Sequence, residues 1–406
     1  MRKLLPLLLA LVMSVACVSS LVACNDGGSE KKDSVADKIK AAESMTVEEL
    51  EAAAKAEFEA AGVKFVVQSS TSGNSKSLAK FKEKYTWFDN EEFSSSKDSA
   101  SFAALEETVA AGKWWADFTM LQVGAKLQPY IDAGYLLNYL PNDSGITLQA
   151  DDKKPLIALY ADKLFMYNTS ASSVTLENVW QLTGKDGTTL KAMPGGVSIQ
   201  DPTNELINMS FFAQLTSDTY VAKLKTAYKN YFGKDYEETS EYKSIAYYFI
   251  SEFFGNVKNA HSSDSKVLSQ TIDSDTKGLV FVVGLNKTKG YPEGKVWQDD
   301  LTITCYNGNH IDGFDGFTYK TYINIPATTR LPYTACLYAR YLLTEEGFKA
   351  GWKDLGYNSP NSQIARNSAN GVEYGIDKEH LVVEDAAYVA TVFTDVSNYV
   401  QSLWNK

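Results

Sequence analysis

Residues 69–74 read Ser69-Ser70-Thr71-Ser72-Gly73-Asn74, hydroxyl and amide groups set between a β-branched run, VKFVVQ, and a helical pattern, SKSLAKFKEKY. At a helix N-terminus such a loop places O–H donors beside unpaired backbone N–H groups and the positive end of the helix dipole, which favours an anionic or strongly polar ligand group. The same residues also make a helix cap with a tight turn at Gly73. Asp117, Thr119 and Gln122 close a second strand pattern, ADFTMLQ. Open α/β sheets bind ligands at such carboxyl ends, while Asp117 equally suits a cap on the next helix. Asp201, Thr203 and Asn204 in QDPTNE have the same double reading, as cleft residues or as a turn and helix start. Trp297, Tyr322 and Tyr333 offer rings for stacking or for a cation, among 24 tyrosines that are mostly structural.

Catalytic patterns are missing. The three histidines, His261, His310 and His380, stand in unrelated polar contexts, and neither HExxH nor GxSxG occurs. Paired carboxylates for glycoside hydrolysis are defined in space and leave no sequence signature. No CxxC or Cys/His cluster gives a metal-ligand spacing, so neither a metal nor a cofactor is expected. A net charge of −11 argues against nucleic acid or an anionic bilayer surface as partner.

The elements that must position these groups alternate. Thr46-Val-Glu-Glu49 has capping-box spacing and opens a helix that Gly62 stops. Strand and helix patterns then follow in turn: VKFVVQS, SKSLAKFKEKY, ASFAALEETVAAG with Phe102, Leu105 and Val109 on one face, ADFTMLQ, VGAKLQPYIDAGYL, KLFMYN, GVSIQD, PTNELINMSFFAQL and KGLVFVV. The alternation predicts an α/β fold of largely parallel sheets with helices on both faces. The last third is aromatic, Gly-rich and short-stranded, then helical. A chain that builds one α/β unit, then a second, then returns makes two lobes with a ligand cleft between them.

The first residues, MRKLLPLLLALVMSV, join two cations to an apolar run too short to span a ~30 Å hydrocarbon core. Leu21-Val22-Ala23-Cys24 resembles the lipobox of bacterial lipoproteins; Ser14-Val15-Ala16-Cys17 is a poorer copy. This resemblance implies a signal peptide at 1–23, a lipid such as palmitate on Cys24, and a flexible polar tether over 24–45. Arg2 and Lys3 are the only charged residues in 1–23, so their loss takes the net charge from −11 to −13. Cys305 and Cys336 then remain, either as a disulfide or as small buried hydrophobes.

Five motifs in register, AGVKFVVQSSTSGNSKSLAKFKEKY, WADFTMLQVGAKLQPYIDAGYLLNYLP, LFMYNTSASSVTLENVWQLTG, VSIQDPTNE and RLPYTACLYARYLLTEEGFKAGWKDLGYNSP, together resemble the extracellular solute-binding lipoproteins of ABC importers. Within these, the chain is most similar to the branch that binds ferric ion, polyamines, thiamine and 2-aminoethylphosphonate. The resemblance implies a two-lobed, type II periplasmic-binding-protein fold: lobe 1 opening over 46–166, lobe 2 over 167–284, a return at 285–330 and a helical region at 331–406. It puts Tyr167 and Asn168 at the first crossover. It also implies no catalysis, but capture of a small polar solute outside the cell membrane by a lipid-anchored monomer and delivery to an ABC permease. A lipid-anchored hydrolase and a surface adhesin are the alternatives. Ferric-ion binders carry adjacent tyrosines in a loop, whereas Tyr247-Tyr248 lies in a helical pattern, so iron ranks last. A hydroxyl-rich loop facing Asp117 and Asp201 would suit a zwitterion first and an organic cation such as a polyamine second.

Overall fold

The structure, a computed structural model, describes residues 33–168, 175–184, 196–272, 279–290, 301–369, 372–375 and 377–404. Residues 1–23, expected from sequence to be a signal peptide, Cys24 and Trp297 lie outside them. Ser34 and Asp37 form a capping box, with Asp37 N–H donating to Ser34 Oγ at 3.2 Å and Ser34 N–H to Asp37 Oδ2 at 3.1 Å, and so start helix α1 (Val35–Ala42). This corrects the reading of 24–45 as tether throughout. The polar composition hides a narrow apolar stripe, and Ile39 and Ala42 are buried on it. Helix α2 (Val47–Ala61) begins as expected. Thr46 Oγ1 accepts from Glu49 N–H at 3.2 Å, Glu49 Oε2 accepts from Thr46 N–H at 2.9 Å, and Gly62 takes φ +60° at the end, a left-handed cap open to glycine without strain.

The chain continues through β1 (Phe65–Ser69), α3 (Gly73–Lys84), β2 (Glu91–Ser95), α4 (Asp98–Ala111), β3 (Phe118–Leu121), α5 (Gly124–Asp132), β4 (Leu136–Leu137) and the long β5 (Ile157–Asn168). Then come β6 (Gly196–Gln200), α6 (Leu206–Gln214), α7 (Asp218–Phe232), α8 (Ile245–Gly255), β7 (Val257–His261), α9 (Asp264–Ile272), β8 (Leu279–Gly284), β9 (Leu301–Ile303) and β10 (Gly316–Pro326). The last described elements are α10 (Pro332–Leu342), α11 (Glu345–Gly351), β11 (Tyr357–Asn358), β12 (Asn367–Ala369), β13 (Val372–Tyr374), β14 (Val382–Val383) and α12 (Ala386–Trp404). The region 331–406 is therefore helical at its two ends and short-stranded between them.

Twelve of the described strands share one sheet, whose main path runs β2-β1-β3-β10-β5-β8-β6-β7, and β12 pairs with β13 in a separate two-stranded sheet. Each flank is parallel: β1 with β2 and β3, β6 with β7 and β8. The centre departs from the expected parallel pattern. There β10 runs antiparallel to β3 and β5, and β5 antiparallel to β8. The two long strands, β5 over 12 residues and β10 over 11, pair with each other and join the flanks, β10 meeting β3 on one side and β5 meeting β8 on the other. Helices pack on this sheet through two large apolar clusters. One gathers Phe58, Phe65, Phe81, Phe88, Phe118 and Tyr338 around β1 and β3. The other gathers Trp180, Phe211, Phe212, Phe249 and Phe253 around the later strands, together with Phe102 and Leu105 of the stripe read from sequence on α4, against which Val109 packs half-buried.

Tyr247 and Tyr248 belong to that second cluster. Tyr247 Oη donates to Asp395 at 2.6 Å, and the Tyr248 ring lies 5.7 Å from Trp180, which is aromatic packing of the ordinary kind. Cys305 and Cys336 are both buried and free. No described helix is long and apolar enough to cross a membrane.

Candidate ligand-binding site

The hydroxyl loop follows β1 directly. Ser70 N–H donates to Met120 O of β3 at 2.8 Å, so the loop leaves the sheet at the carboxyl ends of two parallel strands. Ser69 is fully buried and turned inward, its Oγ donating to Thr71 O at 3.0 Å and accepting from Thr71 N–H at 3.1 Å. Thr71 Oγ1 accepts from the Trp352 indole N–H at 3.2 Å. Gly73 is required by contact: a Cβ there would stand 2.6 Å from Trp352 Nε1 and 2.8 Å from Gly351 O. Asn74 is buried against the Tyr338 hydroxyl, which donates to it. Ser72 is the residue before α3, yet its side chain makes no cap hydrogen bond.

The loop is braced by Asp98, the first residue of α4. Its Oδ1 accepts from Ser70 Oγ and, at 3.0 Å, from Gln122 N–H beyond β3. Burial pushes the Asp98 carboxyl up to about 6, with the nearby Glu205 charge adding to the rise and the Gln122 and Ser70 hydrogen bonds opposing it.

Across from this loop stand groups from the later strands. Gln200, the last residue of β6, donates from Nε2 to Glu205 Oε2 at 2.7 Å. Lys163 on β5 is buried and donates to Asn208 Oδ1 at 2.9 Å and to Asp264 Oδ1 at 3.1 Å, while Asp264 Oδ2 accepts from Gly284 N–H at 2.9 Å. Asn286 Nδ2 donates to Tyr357 Oη at 2.8 Å. Burial, then the charges of Asp354 and Asp264, push the Tyr357 phenol up to about 12. The Tyr319 phenol is raised further, by burial first and then by Tyr357, Asp264 and Glu205, so both remain O–H donors at neutral pH.

These two sets of residues enclose a cavity of about 220 Å³, lined by Ser70, Thr71, Ser72 and Gln122 on one side, by Gln200, Glu205 and Ser263–Ser265 on the other, and by Lys163, Asn286, Lys287, Tyr319 and Tyr357. Its charged lining is balanced, Lys163 and Lys287 against Glu205 and Asp264. The volume lies below the ~300 Å³ at which pockets for drug-sized molecules begin, and the walls are mostly hydrogen-bonding groups.

Of the residues singled out by sequence, the fold brings Ser70, Thr71, Ser72 and Gln122 to this cavity, with Ser69 and Asn74 buried behind it. It uses the others elsewhere. Asp117 is fully buried in an ion pair with Arg330, and Thr119 Oγ1 donates to Asn324 O at 3.1 Å. Asp201 is turned into its own loop, accepting from Thr203 N–H at 2.9 Å, Thr203 Oγ1 at 2.7 Å and Asn204 Nδ2 at 2.8 Å. Tyr167 is buried in the core and Asn168 ends β5. Tyr322 is buried, donating to Glu384 at 3.1 Å, and Tyr333 lies beside Lys38. The acid facing the hydroxyl loop is Glu205, one position past the quoted Asn204. Lys163, Asp264, Asn286, Tyr319 and Tyr357 gave no local signal, because each is isolated in sequence and reaches the cavity only through strand pairing or a helix start.

No family model and no curated protein matches the chain. Solved structures do. A ferric binding protein from Campylobacter jejuni is similar at 13% identity and TM-score 0.60, over 84% of this chain and 99% of that one. The substrate binding protein of an ABC transporter from Agrobacterium tumefaciens is similar at 13% identity and TM-score 0.57, over 83% and 94%. A GABA receptor is similar at 12% identity and TM-score 0.57, over 84% and 97%. With its hydroxyl loop and its acid meeting at strand ends, the chain has the α/β fold of the substrate-binding proteins of ABC transporters.

Proposed function

We propose that the protein is the solute-capturing component of an ABC importer and that its solute is a small zwitterion, such as an amino acid or aminophosphonate. The observation that carries this reading is the charge-balanced cavity of about 220 Å³, with hydroxyl donors beside the N-terminus of α3 on one wall and the Glu205 carboxylate on the other. The donors suit a carboxylate or phosphonate, and Glu205 suits an amine. A receptor of the same fold is named for GABA, which carries both groups on one small molecule. In this reading the protein works outside the cytoplasm, held by lipid on Cys24 and acting as a monomer. Binding without turnover separates it from a hydrolase, and saturable binding of a small solute separates it from an adhesin.

Thermal-shift screening against amino acids, aminophosphonates, polyamines, thiamine, ferric citrate and sugars tests the reading. A true ligand at a hundred times its Kd raises stability by ~2.7 kcal/mol. Best shifts from polyamines, or a visible charge-transfer band with ferric citrate, would replace the zwitterion. Because Ser72 makes no cap bond, Ser72→Ala is expected to leave the empty protein's Tm unchanged and to weaken the ligand by about 1–3 kcal/mol, and Glu205→Gln to do the same through the amine end. Calorimetric titration of both variants checks this; parent-like affinity in both removes the cavity from the binding reaction.

A further inference from the structure

His310 and His380, unrelated in sequence, meet in the fold. Pairing of β10 with β14 places Asp315 beside the His380 backbone, with Asp315 N–H donating to His380 O at 2.8 Å. The two imidazoles stack with centroids 3.8 Å apart and planes inclined by 20°. Asp377 Oδ2 stands between them, 2.9 Å from His380 Nδ1 and 3.9 Å from His310 Nε2. Its other oxygen accepts from the N–H groups of Glu379 and His380, both at 3.1 Å, which fixes the carboxylate. One atom each from His310, Asp377 and His380 lies within 4.8 Å of the other two, and all three side chains are about one-third exposed.

A second observation concerns orientation. Asp315 is fully buried, accepts from Ile311 N–H at 2.8 Å through Oδ1, and holds His310 Nδ1 at 2.5 Å through Oδ2. A buried carboxylate on Nδ1 keeps the proton there and leaves the Nε2 lone pair facing Asp377. This is the carboxylate–histidine arrangement that orients metal ligands and raises their basicity. Neither histidine lines the cavity of the proposed solute site.

We propose that His310 Nε2, His380 Nδ1 and a carboxylate oxygen of Asp377 bind a divalent transition cation of the Zn²⁺ type, with Asp315 as the positioning residue. Two imidazoles and a carboxylate are a borderline donor set suited to Zn²⁺ rather than to Ca²⁺ or Mg²⁺. Imidazole lone pairs lie in the ring planes, which the stack holds nearly parallel, so the partly exposed His380 ring turns out of the stack to meet a metal on His310 Nε2, and solvent fills the fourth position. The proton on His380 Nδ1 passes through solvent to Nε2 of the same ring, which leaves the Nδ1 lone pair for the metal.

Equilibrium dialysis of the full chain with Zn²⁺ at pH 7.5 tests the site. One equivalent is expected to bind. His310→Ala and His380→Ala are each expected to weaken it at least tenfold; His380→Ala is expected to leave the Tm of the metal-free chain at the parent value, whereas His310→Ala, which takes a partner from buried Asp315, lowers it and is compared by affinity in its folded form. Asp315→Asn, which removes no ligand, is expected to weaken it ~10–100-fold. Should a variant fail to fold, the parent alone decides: Zn²⁺ is expected to protect both His310 and His380, and not His261, from carbethoxylation read by peptide mass. Less than one equivalent on the parent, parent-like affinity in the folded histidine variants, or unprotected imidazoles would overturn the proposal. Protection of all three histidines would equally mark non-specific binding and overturn it.

Discussion

Asp117→Ala is expected to destabilise the protein by about 2–4 kcal/mol, the cost of taking the acceptor away from the N–H donors around a buried carboxylate. The carboxylate is fully buried and ties three segments together. It accepts from Val66 N–H of β1 at 3.0 Å, from Arg330 N–H at 2.9 Å and from the Arg330 guanidinium at 2.8 Å. Trp114 Nε1 and Thr329 Oγ1 add bonds at 3.2 and 3.3 Å, and the guanidinium also lies 3.7 Å over the Trp114 ring. Without Asp117 the Val66 N–H of β1 loses its acceptor in the interior, while the Arg330 guanidinium keeps Lys64 O at 2.7 Å and solvent. Urea unfolding monitored by circular dichroism gives the difference directly. A variant of parent-like stability that had lost its solute would return Asp117 to the binding site.

The second large effect is on pH. Burial raises several carboxyls, among them Asp98 to about 6 and Asp162 and Glu384 to about 7; hydrogen bonds oppose the rise at these three, joined at Glu384 by the Lys320 charge. A carboxyl whose folded pKa exceeds its unfolded value of ~4 holds its proton more tightly when folded, so its contribution is complete below pH ~4 and is lost as pH rises through the folded pKa. At about 1–3 kcal/mol per group, the protein is expected to melt several degrees higher at pH 5 than at pH 8. His261, whose pKa is lowered by burial and then by the Lys266 charge, works in the opposite sense and is one partly exposed group against three buried ones. Scanning calorimetry across pH 5–8 measures the trend, and Asp162→Asn with Glu384→Gln is expected to flatten most of it. A melting temperature that climbs steadily toward pH 8 would contradict the buried-acid account.

Local signals in the sequence were reliable where a single segment decides the outcome. The Thr46 box, the Gly62 stop, β1 and the hydroxyl loop after it depend on neighbours a few positions away, and each stands where its pattern put it. Asp117, Asp201 and Tyr322 show the limit. Each is a polar residue near a strand end, and each was a reasonable ligand group until the fold supplied Arg330, Thr203 and Glu384 as its real company. Lys163 shows the converse. It lies in an apolar run and becomes part of the cavity only because β5 pairs with β8 there, Lys163 opposite Gly284, which brings Asp264 and Asn208 within reach. The helix at Val35–Ala42 escaped notice because its apolar face is three residues wide and the surrounding composition reads as solvent-loving.

The bond between Trp352 and Thr71 also sets a clock. The two residues are 281 positions apart, and the loop it braces rests further on Tyr338 behind Asn74, 264 positions away. At synthesis rates of ~5–20 residues per second, Thr71 waits ~15–55 seconds for Trp352 to be made. Arg330, the partner of Asp117, is almost as late. Throughout that interval the first strands and helices lack the last third of the chain against which their core closes. The finished fold is therefore complete only after the last third of the chain has been made.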